Sequence, residues 1–443
     1  MSAKGQLALI GLIIIVLIIA SLLYYLNKNK KINLNFSQKE IIQVENNAFG
    51  SLVSEQINEE GQFNEAAGVA GRGGGGSATA PVANSANTAE SKVLMPAPDI
   101  TNYNYIYQGD KFTINEEQMA VFKRIKDKNV GQQMAGLISG INTGLIDLNK
   151  FSQTTISNLN IIEDKNYGYS IYFDITNSAV SLNAYWEKWP RPEAECVNSD
   201  PQVNQKCYEE LRLKISDVPA DEELIAIANA FIKDYEINIK NYGPGQVQAD
   251  WRQYYDAAAN KETAYIPDTI QVIYPLIING QTVSDEAGNP YGITVDINIR
   301  YKKVYGLRGI TPQDYESSNY AVETDSQKII NLALKGGVYS NWVNPYASKT
   351  VEVELGTPTL GLVVRWQYNY TKGDSTELYV PAYIFPVLNE PESYFYRKNI
   401  VVPLPIDIIE EIEKRNNDII GLPRPEPLIM EDSVKIDEVN NNE

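Results

Sequence analysis

The sequence predicts an α+β fold in which an N-terminal transmembrane helix precedes antiparallel sheets that are each packed by helices. Three observations predict this architecture. A run of 20 uncharged, mostly aliphatic residues lies near the N-terminus. Beyond it, apolar segments separated by turn residues recur in three groups. A stretch with helical apolar spacing precedes each group, and helices segregated from antiparallel strands are typical of α+β proteins.

The apolar run extends from Leu7 to Leu26 and is long enough to cross a bilayer. At about 1.5 Å per residue it spans roughly 30 Å. Tyr24 and Tyr25 lie at its end, where aromatic rings prefer the headgroup layer. A cleaved secretory signal would have a shorter apolar region, of about 7–15 residues, followed by a small-residue cleavage site. We therefore predict a single-pass anchor that is retained in the lipid bilayer of the cell membrane.

A second interpretation applies to the same segment. Lys4, Gly5 and Gln6, directly before the apolar run, resemble the processing site of archaeal class III, prepilin-like signal peptides, with cleavage after Gly5. The resemblance implies a pilin-like surface filament subunit. That family also has a glutamate a few residues into the mature chain, where this sequence has Ile10 among apolar neighbours.

The charges that flank the run give conflicting indications of sidedness. Lys4 precedes it and Lys28, Lys30 and Lys31 follow it, which by the positive-inside rule favours a cytoplasmic domain. The very short N-terminal tail, a low-complexity spacer and a cysteine pair favour the other side of the membrane. We predict that the bulk of the chain is extracytoplasmic.

The chain divides into seven predicted segments. They are a tail and transmembrane anchor (1–31), a possible helical stalk (32–65), a Gly/Ala/Ser-rich linker (66–92), a first α+β module (93–218), a second α+β module (219–320), a third, β-rich module (321–405), and a short helix with an acidic tail (406–443). A flexible linker of 27 residues has a typical reach of roughly 30 Å. It is predicted to hold the folded part near the membrane without fixing it.

Within the modules, apolar periodicity predicts helices and strands. Helices are expected over residues 116–128, 132–147, 220–235, 324–334 and 406–414. Strands are expected over residues 169–175, 180–186, 270–278, 293–301, 351–355, 362–370 and 377–385. Turns are expected at 176–178, 285–290 and 372–374.

Composition excludes several classes of function. Histidine is absent, which removes Ser-His-Asp and Cys-His catalysis and most zinc sites. Beyond the anchor and its flanking lysines the chain carries 34 basic and 56 acidic residues, a net charge of −22. Such a surface repels phosphate backbones. We predict no nucleic-acid partner, no cofactor and no metal.

The only two cysteines, Cys196 and Cys207, enclose a polar loop of ten residues. A disulfide between them would stabilise the fold by about 2–3 kcal/mol through loop closure and would suit an oxidising exterior. The alternative is two free thiols in a reducing compartment. Two cysteines without histidine are poor structural zinc ligands.

Asp285, Glu286 and Asn289 could bind calcium through oxygen atoms. They lack the alternating acidic spacing of an EF-hand loop, and Gly288 is typical of a turn. A turn is therefore the favoured interpretation of this stretch.

Glu187, Glu193 and Glu195 lie near Trp186 and Trp189, and carboxylates beside tryptophans suggest a sugar-cleaving site. The structural interpretation, a strand edge followed by a proline-containing loop, is favoured.

Tyrosine is abundant, with 29 residues against 10 phenylalanines. Tyrosine suits both sheet faces and recognition surfaces, and strand composition is the favoured explanation. A tyrosine-rich surface that binds a partner is the alternative.

The stretch 220–310 contains a resemblance to a known family. The helix ADEELIAIANAFIKDYEI is followed by NYGPGQV and by the strands VIYPLIING and GITVDINIRYKKVYGLRGI. This order resembles PepSY- and YycI-like extracytoplasmic modules, in which a helix packs on an antiparallel sheet. The whole chain also resembles single-pass membrane proteins of candidate-phyla bacteria. The module resemblance implies a binding or regulatory role and brings no catalytic residues.

Together these observations predict a membrane-anchored, extracytoplasmic, non-enzymatic protein that acts as a binding, regulatory or envelope scaffold module. Its expected partners are the lipid bilayer and a protein of the envelope. The alternatives are the pilin-like filament subunit and a carboxylate-dependent hydrolase of the envelope.

Overall fold

The computed structural model describes residues 41–53, 101–126, 131–132, 135, 153–197, 199–340, 347–369, 374–389 and 397–420. These residues belong to one compact unit, Glu40–Glu443. The predicted anchor, the prepilin-like site, the linker and the acidic tail after residue 420 lie outside the described residues. Among the residues that are described, no helix is both long and apolar enough to span a membrane.

The strands follow one another along almost the whole described chain. They are β1 Ile42–Gln43, β2 Thr101–Tyr107, β3 Gln118–Arg124, β4 Asn158–Ile162, β5 Tyr169–Asp174, β6 Ala179–Ala184, β7 Gln246–Val247, β8 Thr269–Pro275, β9 Ile277–Ile278, β10 Gln281–Ser284, β11 Gly292–Asn298, β12 Lys303–Ile310, β13 Tyr315–Ala321, β14 Lys349–Leu355, β15 Thr359–Asn369, β16 Asp374–Pro386 and β17 Asn399–Pro403.

Four of the described helices lie between strands, and the fifth follows the last strand. They are α1 Pro201–Leu211, α2 Asp221–Asp234, α3 Asp250–Ala257, α4 Ser326–Leu334 and α5 Ile406–Ile420, with short 3-10 turns at Pro192–Cys196 and Ile215–Asp217.

The first sheet has the strand order β1-β13-β3-β16-β15-β10-β9, with β17 paired to β16. It is mixed, because β1 runs parallel to β13 and β10 runs parallel to β15. One face, which includes Val363 and Val380, is covered by apolar residues of α4, α5 and a third, two-stranded sheet in which β14 and β2 are parallel. The opposite face, which includes Phe122, Leu362 and Tyr379, forms a smaller core.

The second sheet has the order β4-β5-β6-β12-β11-β8-β7, and all of its described pairings are antiparallel. Helix α2 packs on one face of it. Leu224, Ala228 and Phe231 recur at helical spacing on α2 and are buried against strand residues such as Val295. Three acidic residues in the first turn of α2 complement the positive end of the helix dipole.

Several sequence predictions are confirmed. The helices expected at 220–235, 324–334 and 406–414 are α2, α4 and α5. The expected hairpin at 169–186 is formed by β5 and β6. The strands expected between 270 and 301 are present as β8, β9 and β11, and those expected between 351 and 385 as β14, β15 and β16. The α+β class is therefore confirmed, although the sheets are not all antiparallel.

Two helix predictions are wrong. Residues 118–124, expected within a helix, form β3 between β13 and β16. Residues 41–53 were expected in a helical stalk and instead form β1 and a turn. This segment is bound to the domain: Leu52 is buried, its N–H donates to Asp407, and the N–H of Phe49 donates to the Tyr320 hydroxyl. The helix expected at 132–147 lies mostly outside the described residues.

Strand pairing also crosses the predicted module boundaries. The first sheet combines β3 from the first predicted module with β10 and β13 from the second and β15 to β17 from the third. The second sheet combines β4 to β6 with β7, β8, β11 and β12. The three segments thus share their sheets.

Candidate functional site

The predicted disulfide is present, and it fixes a surface helix. Cys196 and Cys207 are bonded, with their Cα atoms 5.4 Å apart. Cys196 ends a 3-10 turn and is buried, whereas Cys207 is in the middle of α1. At the start of α1 the Asp200 carboxylate accepts a hydrogen bond of 2.8 Å from the N–H of Gln202, which is a standard N-cap. Covalent bond and cap together define where α1 begins and how it is held.

None of the residues of α1 is buried. Val203 and Tyr208 expose about half of their surface, and a salt bridge between Lys206 and Glu210 is fully on the solvent side. A helix of this length without a fully buried apolar face is marginal in water by itself. The disulfide therefore contributes much of what keeps α1 helical, and α1 presents its side chains to the solvent.

The tryptophan-carboxylate stretch beside the disulfide has a structural role. Trp189 is buried, and its indole N–H donates to the Gly168 carbonyl at 3.0 Å. Trp186 is exposed, with the Arg191 guanidinium 4.7 Å from its ring centre. The side chains of the three predicted carboxylates, at positions 187, 193 and 195, are exposed. This arrangement supports the interpretation as a strand edge and loop.

Residues 285–290 form a turn, as predicted. The Asp285 carboxylate accepts hydrogen bonds from the N–H groups of Ala287 and Asn289 and from the Asn289 amide. Gly288 has φ +81° and no room for a side chain, because an added Cβ would lie 2.5 Å from Cβ of Asn399. In the part of the chain that the structure describes, no group of three acidic, cysteine or histidine residues is placed to hold a metal ion.

Glu286 in this turn belongs to a charged cluster that the sequence did not indicate. Arg365 of β15 has only 8% of its side chain exposed and lies between two carboxylates. Its Nε is 3.7 Å from Glu286, and its Nη2 is 3.2 Å from Glu411 of α5, which also pairs with Arg415. The Nη1 of Arg365 is buried and, among the described residues, has no hydrogen-bond partner.

Burial is the main influence on the pKa of the Glu286 carboxyl. It raises the pKa of the Glu286 carboxyl, and the nearby charges of Arg365 and Arg415 oppose that shift without cancelling it. The folded state thus disfavours the ionised form of Glu286. Arg365 has an unused donor and Glu286 an unfavourable charge, so this cluster is a polar site whose interactions are incompletely satisfied.

A second charged cluster is fully satisfied and lies on the other face of the first sheet. The side chains of Arg124 and Glu377 are each 1% exposed, and the Arg124 Nε donates to Glu377 at 2.6 Å. The Tyr291 hydroxyl donates to the same carboxylate at 3.0 Å, and the Tyr379 hydroxyl also donates to it. Arg124 additionally donates to the carbonyl of Asn177, in the turn between β5 and β6.

These contacts join the two large sheets. Burial is the largest single influence and lowers the pKa of Arg124, but the charge of Glu377, the hydrogen bond to it and the contributions of Tyr379 and Tyr291 together raise that pKa by more, so Arg124 stays a cation. Burial raises the pKa of Tyr291 and of Tyr379 well above 10, and the negative charge of Glu377 adds to both shifts. Each of these four side chains is hydrogen-bonded, and Arg124, Glu377 and Tyr379 are buried, so this cluster is structural.

No protein-family model, no curated protein and no solved structure matches the chain. The resemblance of residues 220–310 to PepSY- and YycI-like modules therefore stays a prediction.

Proposed function

We propose that this protein is a membrane-anchored, extracytoplasmic and non-enzymatic module of the cell envelope, with a binding, regulatory or scaffold role. Its anchor is the apolar run 7–26, and its contact element is α1. One observation carries the proposal: α1 is covalently fixed at Cys207 although none of its residues is buried.

The argument from α1 is energetic. A helix that packs on a core contributes stability by burying apolar surface, and α1 has no fully buried residue, with only Cys207 and Leu211 half-buried among its apolar side chains. Ordering its backbone still costs about 1–2 kcal/mol per residue, which the disulfide and the Asp200 cap help to offset. An ordered α1 therefore holds its exposed side chains in fixed positions, where a partner can contact them. Val203 and Tyr208 are an aliphatic and an aromatic group of the kind that anchors protein contacts.

The disulfide also supports the proposed extracytoplasmic location of the domain. Such bonds persist outside the cytosol and are rare within it. The bond between Cys196 and Cys207 therefore favours the extracytoplasmic side, against the weak indication from Lys28, Lys30 and Lys31.

Site-specific photocrosslinking in intact cells tests the contact element. Tyr208 is replaced by a photoreactive phenylalanine, and Tyr265, which is 73% exposed against 49% for Tyr208, serves as a matched aromatic control. We expect a discrete protein adduct from position 208 that is absent from position 265. The adduct should disappear in a C196S/C207S background. Equal adducts from both tyrosines, or an adduct that persists without the disulfide, would contradict the proposal.

Thiol labelling tests the compartment separately. Intact cells are treated with a membrane-impermeant maleimide before and after mild reduction. An extracytoplasmic domain should be labelled at Cys207 only after reduction, because the bond blocks both thiols beforehand. Labelling that requires cell lysis would place the domain in the cytoplasm.

A further inference from the structure

Among the strands that the structure describes, β4 is at the edge of the second sheet. It is the last strand in the sheet order and pairs with β5. Four of its five residues are exposed, including Ile161 at 45% and Ile162 at 47%. Exposed aliphatic side chains along an unpaired edge form a surface on which a further strand can add.

The direction of the β4 backbone groups follows from its pairing with β5. In an antiparallel pair, residues alternate between those that bond the partner strand and those that face away. The N–H of Glu163 donates to Tyr169, and the carbonyl of Ser157 accepts from Ile175, so the odd-numbered residues bond β5. Asn158, Asn160 and Ile162 therefore direct their N–H and C=O groups to the open edge. Within the described residues these groups have no backbone partner.

The edge also lacks charge. The protein has a net charge of −18, which makes two copies repel each other over most of their surface. Residues 153–162 contain no charged side chain and no proline. Natural edge strands are commonly protected against self-pairing by lysine, proline or a bulge, and β4 has neither of the first two.

We propose that two copies of this chain pair through β4, antiparallel, about a two-fold axis at Asn160. In this register Asn160 faces Asn160 of the second copy, and Asn158 faces its Ile162. All three outward N–H groups of each copy then find a carbonyl, which gives six backbone hydrogen bonds. A single register satisfies every outward group, because a shift along the strand would leave some unpaired.

The side chains suit the same register. Leu159 of one copy lies opposite Ile161 of the other, on both sides of the axis. These residues share a face with Phe173 and Ile171, their partners on β5. Four aliphatic side chains thus form a continuous row across the contact, and no like charges meet. An isologous contact of this kind closes on itself and gives a dimer.

The dimer does not depend on the proposed function, because β4 is separate from α1 and from the sidedness of the membrane. Cysteine crosslinking of the full-length protein in cells tests it. In N160C the two new thiols lie on the axis, with Cα atoms about 5.5 Å apart, within disulfide range. In I162C the same residue of the second copy is about 14 Å away along the strand. The native cysteines are bonded to each other and do not interfere.

We expect oxidation to convert N160C to a species of twice the monomer mass and to leave I162C monomeric. Gln246 lies on β7, at the opposite edge of the same sheet, and Q246C is the matched control. Equal crosslinking of N160C and Q246C would overturn the proposal. So would an N160C adduct with a different protein, because β4 would then bind another chain.

A proline variant provides an independent test. The Asn160 N–H faces away from β5, so N160P removes a backbone hydrogen bond from the dimer and no backbone hydrogen bond from the pairing with β5. It also removes the hydrogen bond that the Ser170 hydroxyl donates to the Asn160 side chain, and N160A is the matched control because it loses the same bond but keeps the backbone N–H. We expect purified full-length N160P to lose the dimer in mass photometry while N160A stays dimeric. A wild-type protein that is monomeric, or an N160P protein that remains dimeric, would refute pairing through β4.

Discussion

Replacing Glu377 by glutamine should destabilise the protein more than any other conservative substitution of a carboxylate in the described fold. The side chain is 1% exposed and accepts hydrogen bonds from Arg124, Tyr291 and Tyr379. Glutamine has nearly the same shape, so the substitution leaves no large cavity. It removes the charge that balances Arg124, and it places an amide N–H₂ group among groups that are all donors.

The expected loss follows from the burial of the pair. Breaking a buried ion pair by removing one partner typically costs about 3–5 kcal/mol, because the remaining charge stays out of water. We expect E377Q to lie in that range. The exposed pair of Glu223 and Lys302, 2.8 Å apart with side chains 46% and 54% exposed, gives a matched control. E223Q should cost less than about 1 kcal/mol.

Equilibrium unfolding in urea, followed by tryptophan fluorescence, measures both variants. A double-mutant cycle with R124M then isolates the pair. In R124M/E377Q no uncompensated charge remains, and the glutamine carbonyl can still accept from a tyrosine hydroxyl. The double variant should therefore be more stable than the sum of the single losses predicts, by at least about 1 kcal/mol. A loss in E377Q no larger than in E223Q, or strictly additive losses, would refute the reasoning.

Three further predictions concern the disulfide, the Arg365 cluster and the buried tyrosines. C196S/C207S should lose about 2–3 kcal/mol, and limited proteolysis should cut it within the Cys196–Cys207 loop; a cleavage rate equal to that of the oxidised wild type would contradict this. E286Q should increase stability at pH 7 by no more than about 1 kcal/mol. Because burial raises the folded pKa of Glu286, its ionised form is destabilising above that pKa, and the gain should vanish in unfolding curves as the pH falls toward 4.5; a loss at pH 7 would contradict it. Tyr291 and Tyr379 have folded pKa values raised above 10, so their contribution is fully present below pH 10 and is lost as the pH rises beyond it. In a titration to high pH, the tyrosinate absorbance of these two residues should therefore appear together with the loss of folded protein. Full ionisation of both tyrosines while the protein is still folded would contradict their raised pKa values.

The features that were predicted correctly are local in sequence. Helix α2 contains its apolar stripe and its acidic first turn within 14 residues. The hairpin of β5 and β6 and the turn at 285–290 likewise depend on a few adjacent residues. The disulfide joins cysteines 11 residues apart. Patterns of this size are visible in one sequence because the interactions that they reflect are themselves short in range.

The failure at β3 has a physical reason. A strand with polar residues on one face alternates, but β3 lies between β13 and β16 and has buried or half-buried residues on both faces. Its apolar residues are then not restricted to every second position, and Met119 and Phe122 have helical spacing by coincidence. Tertiary burial on both sides decided the conformation of this segment, and no local pattern records it.

The charged clusters could not be predicted for a related reason. Arg124 and Glu377 are 253 positions apart in the chain, and Arg365 meets Glu286 and Glu411 from three different elements. Each residue is unremarkable in its own segment, where a charged side chain usually faces water. Only the order of strands in the first sheet brings the partners together.

The order of strands also changes how the proposed anchor relates to the domain. The sequence suggested that the Gly-rich segment 66–92 tethers the folded part to the membrane. However, β1 pairs with β13, and Leu52 donates to Asp407, so the chain is already bound to the domain before that segment begins. Residues 54–100 therefore connect two parts of one domain and are not the tether that the sequence predicted; in the proposed anchored protein, residues 27–41 join the anchor to the domain. Because closure entropy depends only weakly on the length of a connection, the length of segment 66–92 can vary at a cost of about 0.6 kcal/mol per doubling. In the proposed anchored protein, the chain between anchor and domain is by contrast the 15 residues 27–41.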